Sequence, residues 1–246
     1  MAVRHLPNVV YETLRISIPT VIDGYLGTGS PETFDARLMS WSERILRCAD
    51  VRLDVTGQPL PTFREAYVVM SNHQSVYDIP IMYQALRQRL RMVAKSELFR
   101  IPIWSRAMHE SGTIELNRSD RRSAIESLKK AGEQIRCGTN VWIAPEGTRS
   151  RTGVMGPFKR GGFHLAIEAK VKILPITIDG SRHVMSANSL FMTPSQTIRV
   201  VVHEPVDTMA FGRKRRDELT RTVRAVIASG LQAELRGNVE VTADSD

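Results

Sequence analysis

Cysteine is nearly missing from this chain of 246 residues: Cys48 and Cys137 are the only two, far apart in sequence. Such a pair offers neither a disulfide framework nor a zinc site, and its scarcity points to a reducing compartment. Long apolar runs are missing too. No stretch reaches the roughly 18–20 apolar residues of a transmembrane helix. The nearest, residues 16–30, is broken by Pro19, Asp23 and three glycines. Arg4 and His5 are not followed by a clean apolar run and a small-residue cleavage site, so no secretory leader is expected. There is no internal repeat, no low-complexity block and no Gly-x-Ser-x-Gly elbow of a serine hydrolase.

What is present is ordinary for a folded domain, with 42% hydrophobic and 24% charged residues. Lysine and arginine exceed acidic residues, 34 − 26 = +8, so the partner surface is expected to be anionic. Nucleic acid, anionic lipid headgroups and phosphorylated metabolites all satisfy that charge. The run Arg213-Lys214-Arg215-Arg216 has no interleaved aromatics and no nucleic-acid motif, which makes a solvated helix face its simplest reading.

Residues 1–49 read as a helical pair. Phe34, Leu38, Trp41, Ile45 and Leu46 recur every three or four residues over 33–49, and a more apolar helix is expected over 9–22. Gly27-Thr28-Gly29-Ser30-Pro31 forms the turn between them. Over 50–235, β-branched runs alternate with helical patterns. Strands are expected at 51–55, 66–70, 91–94, 113–116, 141–144, 173–178 and 197–202. A helix capped by Ser119-Asp120 stops near Gly138, and a last one runs over 214–235. The alternation predicts an α/β domain, a mixed and mostly parallel sheet flanked by helices. Residues 236–246 read as a polar, disordered tail.

Chemistry concentrates at two strand ends. Tyr67–Met70 runs into Ser71-Asn72-His73-Gln74-Ser75, and a helix begins near Pro80, which places His73 and Asp78 at a strand-to-helix turn. On a straight helix five residues rotate by about 140°, a poor arrangement for contact; with His73 in the loop, the carboxylate can fold back onto the imidazole. A carboxylate on one ring nitrogen fixes the tautomer and leaves the other as a general base. Asp78 equally suits a plain helix cap, and His73 a structural loop histidine. The second strand, Val141–Ala144, ends in Pro145-Glu146-Gly147-Thr148-Arg149-Ser150-Arg151. Gly147 permits a tight turn, Thr148 and Ser150 offer hydroxyls, and the Arg149 fork suits a phosphate. Phe158-Lys159-Arg160-Gly161-Gly162 then leads into a helix whose N-terminus favours an anion. A solvated basic loop would look the same. His73 and Asp78 have no companions at metal-ligand spacing, so no metal is expected.

These segments, with Gly112 to Arg118 and the proline-bearing strand at Pro175, resemble in order and spacing the glycerolipid acyltransferase family that includes 1-acylglycerol-3-phosphate acyltransferase. Asn72-His73 with Asp78 matches its first block, Arg118 its second, Pro145–Ser150 its third and Pro175 its fourth. Ala94-Lys95-Ser96-Glu97-Leu98-Phe99 is similar to family sequence as well, and the likeness covers roughly 66–180. Where the family commonly has Phe-Ile-Asp-Arg, this chain has Glu115-Leu116-Asn117-Arg118.

The resemblance implies an enzyme of phospholipid biosynthesis. His73, oriented by Asp78, would take the proton of an acceptor hydroxyl as that oxygen attacks an acyl thioester on coenzyme A or acyl carrier protein. The acceptor would be 1-acylglycerol 3-phosphate or a related lysophospholipid. Arg149 would hold its phosphate, helped by Lys95, Arg118 and Lys159, while Glu146, Gly147 and Thr148 shape the acceptor site. No cofactor beyond the thioester co-substrate is implied, and no nucleic acid. The helical pair would dock on an anionic membrane surface, making a peripheral protein on the cytoplasmic side. Glycerol 3-phosphate or a lyso-aminolipid as acceptor, and a non-catalytic membrane-binding module, are the alternatives.

Overall fold

The computed structural model describes residues 6–59, 65–117, 120–189 and 191–237. The β-branched runs form β1 (Arg52–Gly57), β2 (Val68–Ser71), β3 (Leu90–Lys95), β4 (Ile114–Leu116), β5 (Asn140–Ile143), β6 (Ile173–Asp179) and β7 (Thr197–Val202). They make one sheet in the order β1-β7-β6-β2-β5-β3-β4. Every described neighbour pair is parallel except β6 with β7. This is the mixed, mostly parallel sheet that the alternation predicts. The central strands β2 and β6 are buried along their whole length, as strands covered on both faces should be.

Alternate residues of these strands feed two apolar layers. Val69, Leu174 and Ile176 face one side, with Ile45 and Leu46; Val68, Met70 and Ile173 face the other, with Phe163, Leu219 and Val223. The first layer is covered by α2 (Pro31–Cys48) and α3 (Asp78–Leu86), the second by α5 (Arg121–Arg136), α6 (Gly161–Ala169) and α8 (Arg216–Ser229). Pro175 lies in a central strand despite having no N–H to donate. The β7 ladder ends at Ile176 opposite Val202, and Pro175 stands just beyond it, accepting from the His203 N–H at 3.1 Å.

Three elements escaped the sequence pattern: α4 (Trp104–Glu110), α7 (Ser181–Val184) and a 3-10 turn over Ser96–Arg100. The expected last helix is shorter than 214–235. Gly230 ends it where a Cβ would lie 2.5 Å from Thr177 Oγ1, and Ala233–Leu235 continues as a single 3-10 turn. Of the expected tail, Arg236 and Gly237 pack against the loop at Met155, while 238–246 lie outside the described residues.

The expected N-terminal helical pair is α1 (Leu6–Leu26) and α2. The stripe of Phe34, Leu38, Trp41 and Ile45 packs inward, against the sheet and α3 and along the cavity wall. Ser30 caps α2 by accepting from Thr33 N at 3.2 Å, with Pro31 in the first turn, which fixes the rotation that turns this stripe to the core. The outward apolar face belongs to α1, whose polarity is inverted. Glu12 is 8% exposed, and Ser17 and Thr20 are also buried, whereas Tyr11, Ile18, Ile22 and Tyr25 stand in the open, Tyr25 at 75%. Polar contacts join the pair: Arg37 to Asp23 at 2.6 Å, Trp41 Nε1 to Thr13 Oγ1 at 3.1 Å, and Arg44 to Glu12 at 3.7 Å. No helix among the described residues is long and apolar enough to cross a membrane.

Candidate active site

The loop after β2 is held rigidly before it reaches His73. The Asn72 side chain bonds both backbone groups of Ile178 on β6, donating to its carbonyl at 2.8 Å and accepting from its N–H at 2.9 Å. Ser71 Oγ accepts from Trp142 Nε1 at 3.0 Å and donates to the Asn72 carbonyl. These contacts pin the C-terminal end of β2 to its neighbours β5 and β6.

His73 and Asp78 then meet. Nδ1 lies 2.7 Å from Asp78 Oδ2, with the carboxylate wholly buried and the imidazole 19% exposed. The same oxygen accepts from Gln74 N at 2.8 Å and Ser75 N at 3.0 Å. Asp78 therefore does not cap α3, whose N-cap residue Tyr77 makes no side-chain cap bond. Its carboxylate turns back and closes the loop around itself. A carboxylate only accepts, so the proton of the shared bond sits on Nδ1 and Nε2 keeps its lone pair. The Trp142 ring meets the imidazole edge-on with centroids 6.1 Å apart, walling one side.

The loop after β5 comes up beside the histidine. Gly147 adopts φ +79°, a conformation open to glycine at little cost, and its N–H bonds the Ala144 carbonyl. Glu146 does not face the cavity. Its Oε1 accepts from His73 N at 2.7 Å and its Oε2 from Gly156 N at 2.8 Å, so it ties together the two loops that flank the dyad. Burial pushes its carboxyl up to about 7, against the pull of those two N–H donors. Ser150 N donates to the His73 carbonyl at 2.7 Å, a second link between the loops.

His73 lines a cavity of about 560 Å³. Val9, Ile16, Phe34, Leu38 and Trp41 from the helical pair make much of its apolar wall. Lys95, Thr148 and Arg149 also line it, and neither cation has a hydrogen bond or ion pair to any described residue. Gly147 contributes backbone to the same wall. Lys159 is exposed and does not line the cavity, although its N–H supports the loop by bonding the Pro145 carbonyl at 2.8 Å. Arg118 lies outside the described residues. The basic run at 213–216 is engaged elsewhere: Arg213 pairs with Glu168, and Arg215 with Glu218 and the Phe211 ring.

Arg224 is a residue the sequence reading missed. It is among the largest fully buried side chains, and among the described residues it forms no ion pair. It donates to the carbonyls of Gly156, Met155 and Arg236 at 3.4, 3.1 and 3.0 Å, with its cation 6.0 Å from the Phe158 ring centre. The Gly156 peptide thus carries Arg224 on its carbonyl and Glu146 on its N–H. The only sequence signal is position: Thr220, Arg224 and Ile227 share the buried stripe of α8.

Comparison with known proteins gives this geometry a family. Over 181 residues the chain is 34% identical to a chloroplastic 1-acyl-sn-glycerol-3-phosphate acyltransferase of Arabidopsis thaliana, covering 73% of this chain and 49% of that protein. It is 36% identical over 156 residues to a chloroplastic enzyme of the same description from Brassica napus, covering 63% and 45%. The chain spans about half the length of these curated relatives. The crystal structure of the 1-acyl-sn-glycerophosphate (LPA) acyltransferase of Thermotoga maritima superposes with a TM-score of 0.75 at 25% identity, over 93% of this chain and 95% of that one. The family profile described as Acyltransferase matches residues 52–179, just over half of the chain and all of both loops that meet at His73, and the chain belongs to that family.

Proposed function

We propose that this chain transfers a fatty acyl group from an acyl thioester, on coenzyme A or acyl carrier protein, to the free hydroxyl of 1-acylglycerol 3-phosphate. The observation that carries the reading is the buried Asp78 on Nδ1 of a histidine that lines an apolar cavity, with Lys95 and Arg149, unpaired among the described residues, in its wall. A volume of about 560 Å³ suits a ligand site, commonly about 300–1,000 Å³. An acyl chain fits the apolar wall, and a phosphate fits Arg149 and Lys95.

In this mechanism Nε2 of His73 takes the hydroxyl proton as the oxygen attacks the thioester carbon. Asp78 stabilises the imidazolium that results. The tetrahedral intermediate collapses, the carbon–sulfur bond breaks, and the leaving thiolate recovers the proton from His73. Histidine never bonds to the acyl group, so no acyl-enzyme forms. Glu146 acts by placing the His73 backbone, Gly147 by shaping the wall that carries Thr148 and Arg149. Arg118 is assigned the acceptor phosphate on family likeness alone, and Lys159 on its nearness in sequence to the Arg149 loop.

Both substrates carry chains that reside in a bilayer, and the inverted α1 supports docking on its surface. Polar residues face α2 and large apolar residues face out, the arrangement that suits an acyl boundary. Each Lys or Arg near an anionic leaflet adds about 1 kcal/mol of attraction. The protein is read as peripheral, on the cytoplasmic face, where its free cysteines stay reduced.

The test is thiol release and product mass on a panel of 1-acylglycerol 3-phosphate, glycerol 3-phosphate, headgroup lysophospholipids and a lyso-aminolipid, each with both donors. His73→Ala is expected to abolish release with the melting temperature unchanged. Equal turnover by that variant refutes the dyad, and transfer confined to acceptors without phosphate refutes the Arg149 assignment.

A further inference from the structure

Between the 3-10 turn and α4 the chain does something uncommon. Four of the seven residues from 98 to 104, Leu98, Ile101, Ile103 and Trp104, are large, apolar and exposed, with Ile101 at 42% and Ile103 at 47%. Phe99 alone turns in, buried against the His109 ring at 4.7 Å between centroids. Ile103 has φ +66° and ψ −54°, and Trp104 N bonds the Pro102 carbonyl at 2.7 Å across it. That is a γ-turn of the rare, strained hand, centred on a β-branched residue that avoids positive φ. The turn sets Ile103 and Ile101 out on the surface, where a relaxed loop could have folded one of them under.

We propose that residues 98–104 form a second membrane anchor, which seats the mouth of the cavity in a phospholipid surface. The inference rests on the acyltransferase reading and adds a lipid contact beyond α1. Three observations choose lipid over a protein partner. The rim is continuous with the apolar outer face of α1, because α4 packs on that helix: Gly24 lies so close to Glu110 that a Cβ would stand 2.4 Å from its carboxyl carbon, and Arg106 lies 5.0 Å from the Tyr25 ring centre. Its borders are basic on balance, with Lys95, Arg100 and Arg106 exposed against Glu97 and the Glu110 that pairs with Arg106 at 2.7 Å, a balance that favours an anionic headgroup layer. Leu98 and Trp104 also line the cavity that holds His73, so the rim and the mouth are one edge. Tryptophan with its ring half in apolar surroundings suits the headgroup boundary. A long-chain acceptor would then enter sideways from the leaflet without crossing water.

The experiment uses the full chain with vesicles of phosphatidylcholine, with and without phosphatidylglycerol. Ile101→Asn and Ile103→Gly are the variants, because neither side chain lines the cavity. Glycine at 103 keeps the turn and removes its strain, so loss of fold cannot explain its effect. Vesicle cosedimentation of the double variant should weaken about tenfold or more, in line with the apolar area removed. Turnover of a long-chain lysophosphatidate presented in vesicles should fall with it, while turnover of a short-chain, water-soluble acceptor stays unchanged. Unchanged vesicle binding overturns the proposal; if turnover with acyl carrier protein as donor falls in its place, the rim is a protein-docking face. An equal fall on the short-chain acceptor overturns it too, by making the turn part of the cavity. A wild-type protein that transfers nothing to any acceptor defeats the acyltransferase reading, and cosedimentation still decides the anchor.

Discussion

Replacing Asp78 by asparagine is the sharpest probe of the dyad, because it removes charge and little else. The oxygen that now takes three donors, at 2.7, 2.8 and 3.0 Å, can stay in place as an amide oxygen, so the loop keeps its shape. What is lost is the carboxylate that, in the proposed mechanism, faces the imidazolium formed as His73 accepts the proton. Unit charges with centres about 4 Å apart attract by about 4 kcal/mol at an effective dielectric constant of about 20. Each 1.4 kcal/mol, roughly, is a factor of ten in rate, so kcat should fall roughly 1,000-fold. KM should move little, since the cavity wall and its cations are untouched. The assay is thiol release from an acyl thioester at saturating acceptor, read below the melting temperature of both proteins. A fall of less than tenfold at unchanged melting temperature would refute the reasoning and leave Asp78 as a clasp for the loop.

Glu146 makes stability depend on pH. Its folded value of about 7 lies above the ordinary 4.5, so between those values the native state holds a proton that the unfolded chain has released. Stability should therefore fall as pH rises from 4.5 to 7 and level off above, by 2.5 × about 1.4, or about 3.5 kcal/mol. Urea titrations at pH 5 and pH 8 should show that loss in the wild type and not in Glu146→Gln; equal loss in both refutes the assignment. Arg149→Lys should raise KM for a phosphate-bearing acceptor roughly 10- to 100-fold with kcat little changed, as one charged, forked contact is lost. An unchanged KM would remove Arg149 from the phosphate site. Arg224→Met should cost roughly 3–5 kcal/mol in denaturant titration, because three carbonyls in the 155–156 loop and at Arg236 lose a buried cationic donor. A loss under about 1 kcal/mol would mean that water takes over those bonds.

Much of the sheet could be read from the chain because each strand carries its own signal. β6, with Ile173, Leu174, Ile176 and Ile178, is β-branched and apolar over its whole length, and burial on both faces demands just that. The helix α4 carries no comparable signal. It has seven residues and starts from the left-handed Ile103, a conformation no propensity would assign to isoleucine. At the site, the segments were legible while the direction of each side chain was not. Glu146 sits inside the most distinctive motif, beside Arg149, yet one carboxylate turns inward to backbone N–H groups while the guanidinium lines the cavity. Lys159 was drawn in by nearness in sequence, and the chain carries it off the cavity wall. Arg224 joins the site from nearly seventy residues beyond Gly156, through carbonyl oxygens that no residue code records.

The helical pair shows most clearly where periodicity stops. A stripe at three- and four-residue spacing says that one face of a helix is covered, and not by what. On α2 the stripe is covered by the sheet, and it supplies part of the cavity wall. On α1 the discriminating residues are the polar ones. Glu12, Thr13 and Thr20 turn toward α2, where Arg44, Trp41 and Arg37 meet them with charge and hydrogen bonds. That interface pairs its charges within the protein, which is what the inner side of a helix needs under the proposed lipid contact. The cost of the arrangement falls on the outer side, where Tyr11, Ile18, Ile22, Tyr25 and Leu26 lie open. In water each exposed group forgoes up to about 1.5–3 kcal/mol of burial. On the proposed docking a bilayer would return it, and the same contact would bring the cavity to the phase in which the proposed long-chain substrates are concentrated.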